Sequence, residues 1–187
     1  MKIVLATNNP GKIKELKPFF PNDTIYTLQD FNLTSPPETG NTYLENALIK
    51  ARFASEKTKL PAIADDSGLE IDYLNRAPGL LSARFFNGED KIKKILTALK
   101  GVPFSQRTAC FRSVLVFLQS ADDSAPKFGE GIFKGIIAEQ PAGSNGFGYD
   151  PIFYLSEYQK TVAQLPINIK QQISHRVKAL KDLFRTI

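Results

Sequence analysis

The sequence predicts one α/β protein, and three observations predict it. A short apolar run, Lys2 to Ala6, reads as a buried strand and leads through a polar loop into a segment of helical period. Residues 42–54 and 90–100 also repeat their apolar side chains at helical spacing, whereas residues 107–119 and 127–139 are β-rich. The chain has 187 residues, enough for one sizeable core across 1–187 without a second independent domain. Hydrophobic residues make up 42% and charged residues 23%, which excludes a disordered chain. The net charge of +5 suits an anionic ligand and is far from that of a nucleic-acid-binding tail. The sole cysteine, Cys110, excludes an intrachain disulfide and fits a reducing compartment. Met1 to Ala6 is too short for a secretory signal, and Val114 to Leu118 is too short to span a bilayer. A soluble cytoplasmic protein, without nucleic-acid or membrane partners, is the expectation.

In the first helix Ile13, Leu16 and Phe19 or Phe20 recur at helical spacing, with Asn9 as N-cap and Pro10 in the first turn. The loop Thr7-Asn8-Asn9-Pro10-Gly11-Lys12 thus joins a strand to a helix start that attracts anions, with Lys12 adding a full charge. It lacks the spacing of a Walker A loop, and many strand-to-helix turns carry Asn, Gly and Lys for conformational reasons alone. Thr24 to Leu28 reads as a second strand and residues 35–40 as a loop. Asn41 or Thr42 starts a long helix, in which Thr42 and Glu45 have capping-box spacing. Leu44, Ala47, Leu48, Ala51 and Ala54 form its apolar stripe; Asn46 and Lys50, four apart, share the flank.

Pro61 opens the central segment. Ala62 to Ala64 read as a short buried strand, Asp65-Asp66-Ser67-Gly68 fits a type I turn, and Leu69, Ile71 and Tyr73 alternate with Glu70 and Asp72 as a second strand. Two readings fit the paired acids: an ordinary acidic turn, or a strand-end site in which carboxylates hold Mg²⁺ and orient a water. A loop carrying Arg84 follows, and then an amphipathic helix from Asp90 to Lys100, capped by Asp90 and ended by Gly101. The two β-rich segments pair across Ala121 to Ser124. Pro141 to Gly148 is Gly-rich and runs into Phe147-Gly148-Tyr149-Asp150-Pro151, which serves either loop packing or a flat heteroaromatic ligand. On one continuous C-terminal helix with the stripe Ile169, Ile173, Val177, Leu180 and Phe184, His175 would point away from the core and Arg176 away from Lys170. The conflict eases if Ser174 caps a new helix whose first turn carries His175 and Arg176, with exposed donors facing a ligand.

Together these stretches resemble the inosine triphosphate pyrophosphatase family. The resemblance is carried in order by Thr7 to Lys12, Glu38-Thr39-Gly40, Leu44 to Ala47 with Lys50, Ala64 to Leu69, Ala77-Pro78-Gly79 with Ser82-Ala83-Arg84, Phe147 to Pro151, and Ser174-His175-Arg176. Two departures stand out: Leu165 to Lys170 keeps the family's lysine without its acids, and Leu74-Asn75-Arg76 replaces frequent glycines. The resemblance implies a long, curved mixed β-sheet flanked by helices, two lobes with a nucleotide-binding groove between them, and a homodimer. It also implies Mg²⁺-dependent hydrolysis of non-canonical purine nucleoside triphosphates (ITP, dITP, XTP) to monophosphate and pyrophosphate. By the same resemblance Glu38 and Asp66, with Asp65 nearby, are the metal residues, and Asp66 handles the attacking water. Substrate contacts are expected from Thr7, Asn8, Asn9, Pro10, Gly11, Lys12, Lys50, Ser67, Phe147, Gly148, Tyr149, Asp150, Lys170, His175 and Arg176. Phe85 and Phe86 are candidates for the dimer surface.

Two other functions compete. Maf-type nucleotide pyrophosphatases have an opening loop richer in serine with an arginine, which Thr7 to Lys12 does not match. A non-catalytic nucleotide or RNA-binding module would leave Glu38, Asp65 and Asp66 unexplained, since clustered acids repel phosphate unless a cation intervenes.

Overall fold

The computed structural model describes residues 1–83 and 90–186. Arg84, Phe85 and Phe86, named above for the motif and the dimer surface, lie outside the described residues. Seven strands form one mixed sheet in the order β2-β1-β3-β4-β5-β6-β7. They are β1 (Lys2–Leu5), β2 (Thr24–Thr27), β3 (Ala62–Ile71), β4 (Thr108–Leu118), β5 (Lys127–Ile137), β6 (Phe153–Leu155) and β7 (Lys160–Thr161). β1 runs parallel to β2 and β3, while β6 is antiparallel to both β5 and β7. The helices are α1 (Pro10–Leu16), α2 (Tyr43–Thr58), α3 (Lys91–Ala98), α4 (Ile167–Ile173) and α5 (His175–Leu183). Among the described residues, no helix is long and apolar enough to cross a membrane.

The helix caps fall where the sequence puts them, except that the Glu45 carboxylate accepts from the Asn41 amide and so does not complete a capping box on Thr42. Asn9 accepts from the amides of Gly11 and Lys12 with Pro10 in the first turn; Thr42 accepts from Glu45 N; Asp90 accepts from Ile92 and Lys93. Asp123 closes the β4–β5 turn by accepting from Gln119 and Ala125.

The chain divides into two compact units. The first comprises residues 1–66, 113–131 and 175–187, and the second residues 67–112 and 132–174. In the first, strand alternation builds two cores. Ile3, Leu5, Ile63, Leu115 and Phe117 meet Leu16 of α1 and Leu180 and Leu183 of α5. Val4, Ala62, Ala64, Val116 and Leu118 meet Ala47, Ala51 and Ala54 of α2. In the second unit Leu69, Ile71, Phe111, Phe133 and Phe153 pack with Ile95 and Leu99 of the α3 segment.

The central segment corrects one expectation. Ala62 to Ile71 is a single ten-residue strand, not two strands about a type I turn. Asp is disfavoured in strands, but that preference yields to context. β3 has neighbours on both edges, β1 and β4, so its backbone is paired, and a buried cation on each face, Arg176 for Asp65 and Lys50 for Asp66, answers the two carboxylates.

Candidate active site

Successive strand residues face opposite ways. Asp66 shares the parity of Ala62 and Ala64 and faces α2; Asp65 shares that of Ile63 and faces α1 and α5. One turn of α2 supplies the partners of Asp66. Lys50 Nζ lies 2.6 Å from Asp66 Oδ1 and 2.8 Å from Glu38 Oε1, and it donates to the Asp65 carbonyl at 2.8 Å. Asn46, four residues earlier, donates to Asp66 Oδ2 at 3.3 Å and accepts from Gly40 N at 2.8 Å. The amide therefore ties the loop that carries Glu38 to the strand that carries Asp66. Burial pushes the Asp66 carboxyl above its ordinary range, with Glu38 adding to the shift and Lys50 opposing it. Burial pulls the Lys50 ammonium down, but Asp66 and Glu38 outweigh it and leave the group above its usual value.

Asp65 has different company. Lys12 Nζ lies 2.8 Å from its Oδ2, Arg176 Nε donates to the same oxygen at 3.0 Å, and Ser113 Oγ donates to Oδ1 at 2.5 Å. Burial alone would raise this carboxyl; Lys12 and Arg176 overcome it and hold the group well below the usual range. Burial depresses the Lys12 ammonium, with Asp65 opposing. Glu38 and Asp66 are thus brought together around Lys50, and Asp65 is not brought to them. Among the described residues no group of three His, Cys, Asp or Glu gathers for a metal. Two carboxylates with substrate oxygens and waters are a donor set that suits Mg²⁺, so Glu38 and Asp66 fit the ion by number and type.

The loop before α1 is partly spent on itself. Asn9 Oδ1 takes the Gly11 and Lys12 amides, Thr7 Oγ1 takes the Asn9 amide, and Asn8 donates to the Leu33 carbonyl. The backbone donors of Gly11 and Lys12, expected to face an anion, already have acceptors.

In the second unit Lys170 Nζ pairs with Asp150 Oδ2 at 2.5 Å and sits 4.5 Å from the centroid of the Phe147 ring. Asp150 Oδ2 also accepts the Phe147 amide at 2.8 Å. Gly146 has φ +77°, and a Cβ there would stand 2.0 Å from Asp150 Oδ2, so only glycine lets the loop close on this carboxylate. Gly148 likewise has φ +68°. Tyr149 is buried and donates to the Ser82 carbonyl at 2.8 Å, and burial pushes its hydroxyl up to about 12. Ser67 is half-buried at the middle of β3.

The helix break falls where expected: α4 ends at Ile173, Ser174 is extended, and α5 begins at His175. The first turn differs from expectation in being buried, since His175 and Arg176 are each 4% exposed. The cause lies in β5. A Cβ at Gly131 would meet His175 O at 2.0 Å and one at Gly129 would meet Ala179 O at 2.3 Å, so two glycines let the α5 backbone lie directly on the strand. Arg176 donates through Nη1 to Glu15 Oε2 at 2.9 Å and through Nε to Asp65. Burial lowers its pKa, but the two carboxylates outweigh this and raise it.

Sequence reasoning missed Glu15 and Ser113. Ser113 has the parity of Leu115 and Phe117, which a count back along the buried face would have caught. Glu15, three positions from Lys12, looks like the polar flank of a surface helix.

Known proteins resemble the whole chain. The sequence model of the Ham1 family matches residues 3–186. A Legionella pneumophila protein named dITP/XTP pyrophosphatase is 47% identical over 97% of this chain and 96% of its own. One of the same name from Photobacterium profundum is 48% identical over 100% and 98%. The solved structure of a HAM1 protein from Coxiella burnetii superposes with a TM-score of 0.90 at 41% identity, over 100% of this chain and 98% of that one.

Proposed function

Because the chain belongs to the Ham1 family, we propose that it is a nucleoside triphosphate pyrophosphatase that removes non-canonical purine nucleotides (dITP, XTP and ITP). The observation that carries this reading is the Lys50 ammonium held between Asp66 and Glu38, a polyphosphate-binding cation beside carboxylates suited to a metal. The names of the relatives, at nearly half identity over the full length, support the substrate class.

In this reading water attacks the α-phosphorus. A bond forms from the water oxygen to that phosphorus, the bond to the bridging oxygen breaks, and pyrophosphate leaves with the electron pair. Asp66 takes the proton from the water as a positioned carboxylate. Lys12 and Lys50 hold the phosphates and offset the charge that develops on the departing oxygen. Glu38 and Asp66 would hold Mg²⁺, which would supply Lewis-acid assistance to the bound triphosphate. Phe147 is assigned to stacking on the purine, with Asp150 and Lys170 behind it. Donation to the 6-oxygen, which adenine replaces with an amino group, is assigned to His175 and Arg176 as N–H donors. The reading includes a homodimer and a cytoplasmic location.

The test is pyrophosphate release from dITP, XTP, ITP, GTP and ATP, with and without Mg²⁺. Turnover of the first three, dependent on Mg²⁺ and lost in Lys50→Ala, is the expected result. Orthophosphate as first product, or equal turnover of ATP, would overturn the reading.

A further inference from the structure

Glu15 has no part in the chemistry just assigned, yet its side chain is 7% exposed and it lies on α1, three residues beyond Lys12. A carboxylate buried this far needs a cation, and Arg176 supplies one through Nη1 at 2.9 Å. Arg176 Nε reaches Asp65 Oδ2, and that same oxygen holds Lys12 Nζ at 2.8 Å. Four side chains thus close a ring of alternating charge that leaves α1 at Lys12 and returns to it at Glu15. Asp65 Oδ2 serves two cations at once, so its position between them depends on how firmly Arg176 is held from elsewhere. The α5 backbone cannot shift to compensate, because Gly131 already lies against His175 O.

We propose that Glu15 is a positioning residue for Lys12: by holding Arg176 from α1, it fixes Asp65 and so sets where the Lys12 ammonium stands to receive a triphosphate. This rests on the triphosphate reading above. Without the Glu15 charge, Arg176 turns more fully onto Asp65, and Lys12 loses its anchor.

The test is a double-mutant cycle. Glu15→Gln keeps the shape and an acceptor but removes the charge. Its effects on kcat/KM for dITP and on the Kd for inorganic tripolyphosphate are measured in the wild-type and Lys12→Ala backgrounds, beside the thermal midpoint. With Lys12 present, a loss of about tenfold in both is expected, within the range that misplacing a positioned group by about 1 Å produces. In Lys12→Ala the same change is expected to alter them by less than about twofold, the limit of ordinary additivity. Equal losses in both backgrounds mark a purely structural Glu15 and overturn the proposal, as do unchanged values in Glu15→Gln. If Glu15→Gln does not fold, Glu15→Asp, which keeps the charge one methylene short, carries the same cycle and is judged by the same results. A wild-type protein that binds tripolyphosphate through Lys12 but turns over no nucleotide overturns the proposed function, while the Kd arm still decides the role of Glu15. A wild-type protein that does not bind tripolyphosphate overturns the Glu15 proposal itself.

Discussion

Asp65 turns toward Lys12, Arg176 and Ser113 on one face of β3, whereas Asp66 turns toward Lys50 and Asn46 on the other. The two acids are neighbours on one strand and both are buried, yet their pKa values move in opposite directions. Asp65 meets two cations and a hydroxyl, so its ionised form favours the fold. Asp66 shares Lys50 with Glu38, and burial outweighs that single ammonium, so its ionised form opposes the fold. A carboxylate that the fold over-satisfies is suited to holding other groups in place. One that the fold under-satisfies is suited to gaining a proton or a metal. Burial alone does not separate the two roles; the number of cations per carboxylate does.

The largest expected effect follows from Asp65→Asn. It leaves Lys12 and Arg176 facing a neutral amide, and breaking a buried pair of this kind costs about 3–5 kcal/mol. Urea denaturation at neutral pH measures the loss; a loss below about 1 kcal/mol would erase the contrast. Asp66→Asn is expected to lower kcat by about 10²-fold or more, as removing a positioned base does, while destabilising the fold less than Asp65→Asn does, because Lys50 keeps Glu38. A destabilisation equal to that of Asp65→Asn would break the comparison from the other side.

Acid titration sharpens it. The ordinary Asp value is about 3.9. Asp65 is depressed below that in the fold, so its stabilisation is complete above the unfolded value and disappears as pH falls through the folded one. Asp66 is raised in the fold, so its penalty is absent at low pH and grows as pH rises from the unfolded value through the folded one. The stability gap between wild type and Asp65→Asn is therefore expected to stay constant on descent to about pH 4 and then shrink. The gap for Asp66→Asn is expected to run the opposite way, with the variant gaining on the wild type as pH rises. The smallest effect belongs to Phe147→Ala, in the second unit. Loss of stacking, about 0.5–1.5 kcal/mol, is expected to raise KM several-fold for every purine triphosphate tested, with kcat and denaturation midpoint little changed.

The helix boundaries were legible because their determinants are local: Asn9, Thr42 and Asp90 each cap amides two or three residues away. The break at Ser174 was legible from a conflict of helical phase. Asn46 and Lys50 were legible as a pair because four residues on a helix share a face. The continuity of β3 was not, because what makes two adjacent acids tolerable there is distant: Lys50 is 16 residues from Asp66 and Arg176 is 111 from Asp65. The burial of Arg176 was hidden for a related reason, since it depends on Gly129 and Gly131 of a strand that contacts α5 only in the fold. Local pattern marks where a side chain sits along its own element; it does not say which charge will meet it across the sheet.

Turnover of inosine triphosphate in water enriched in heavy oxygen, with Mg²⁺ present, reads the point of attack directly. If the Asp66 face directs water onto the α-phosphorus, the heavy oxygen appears in the nucleoside monophosphate and the pyrophosphate is unlabelled. Heavy oxygen in pyrophosphate or in orthophosphate would contradict that assignment.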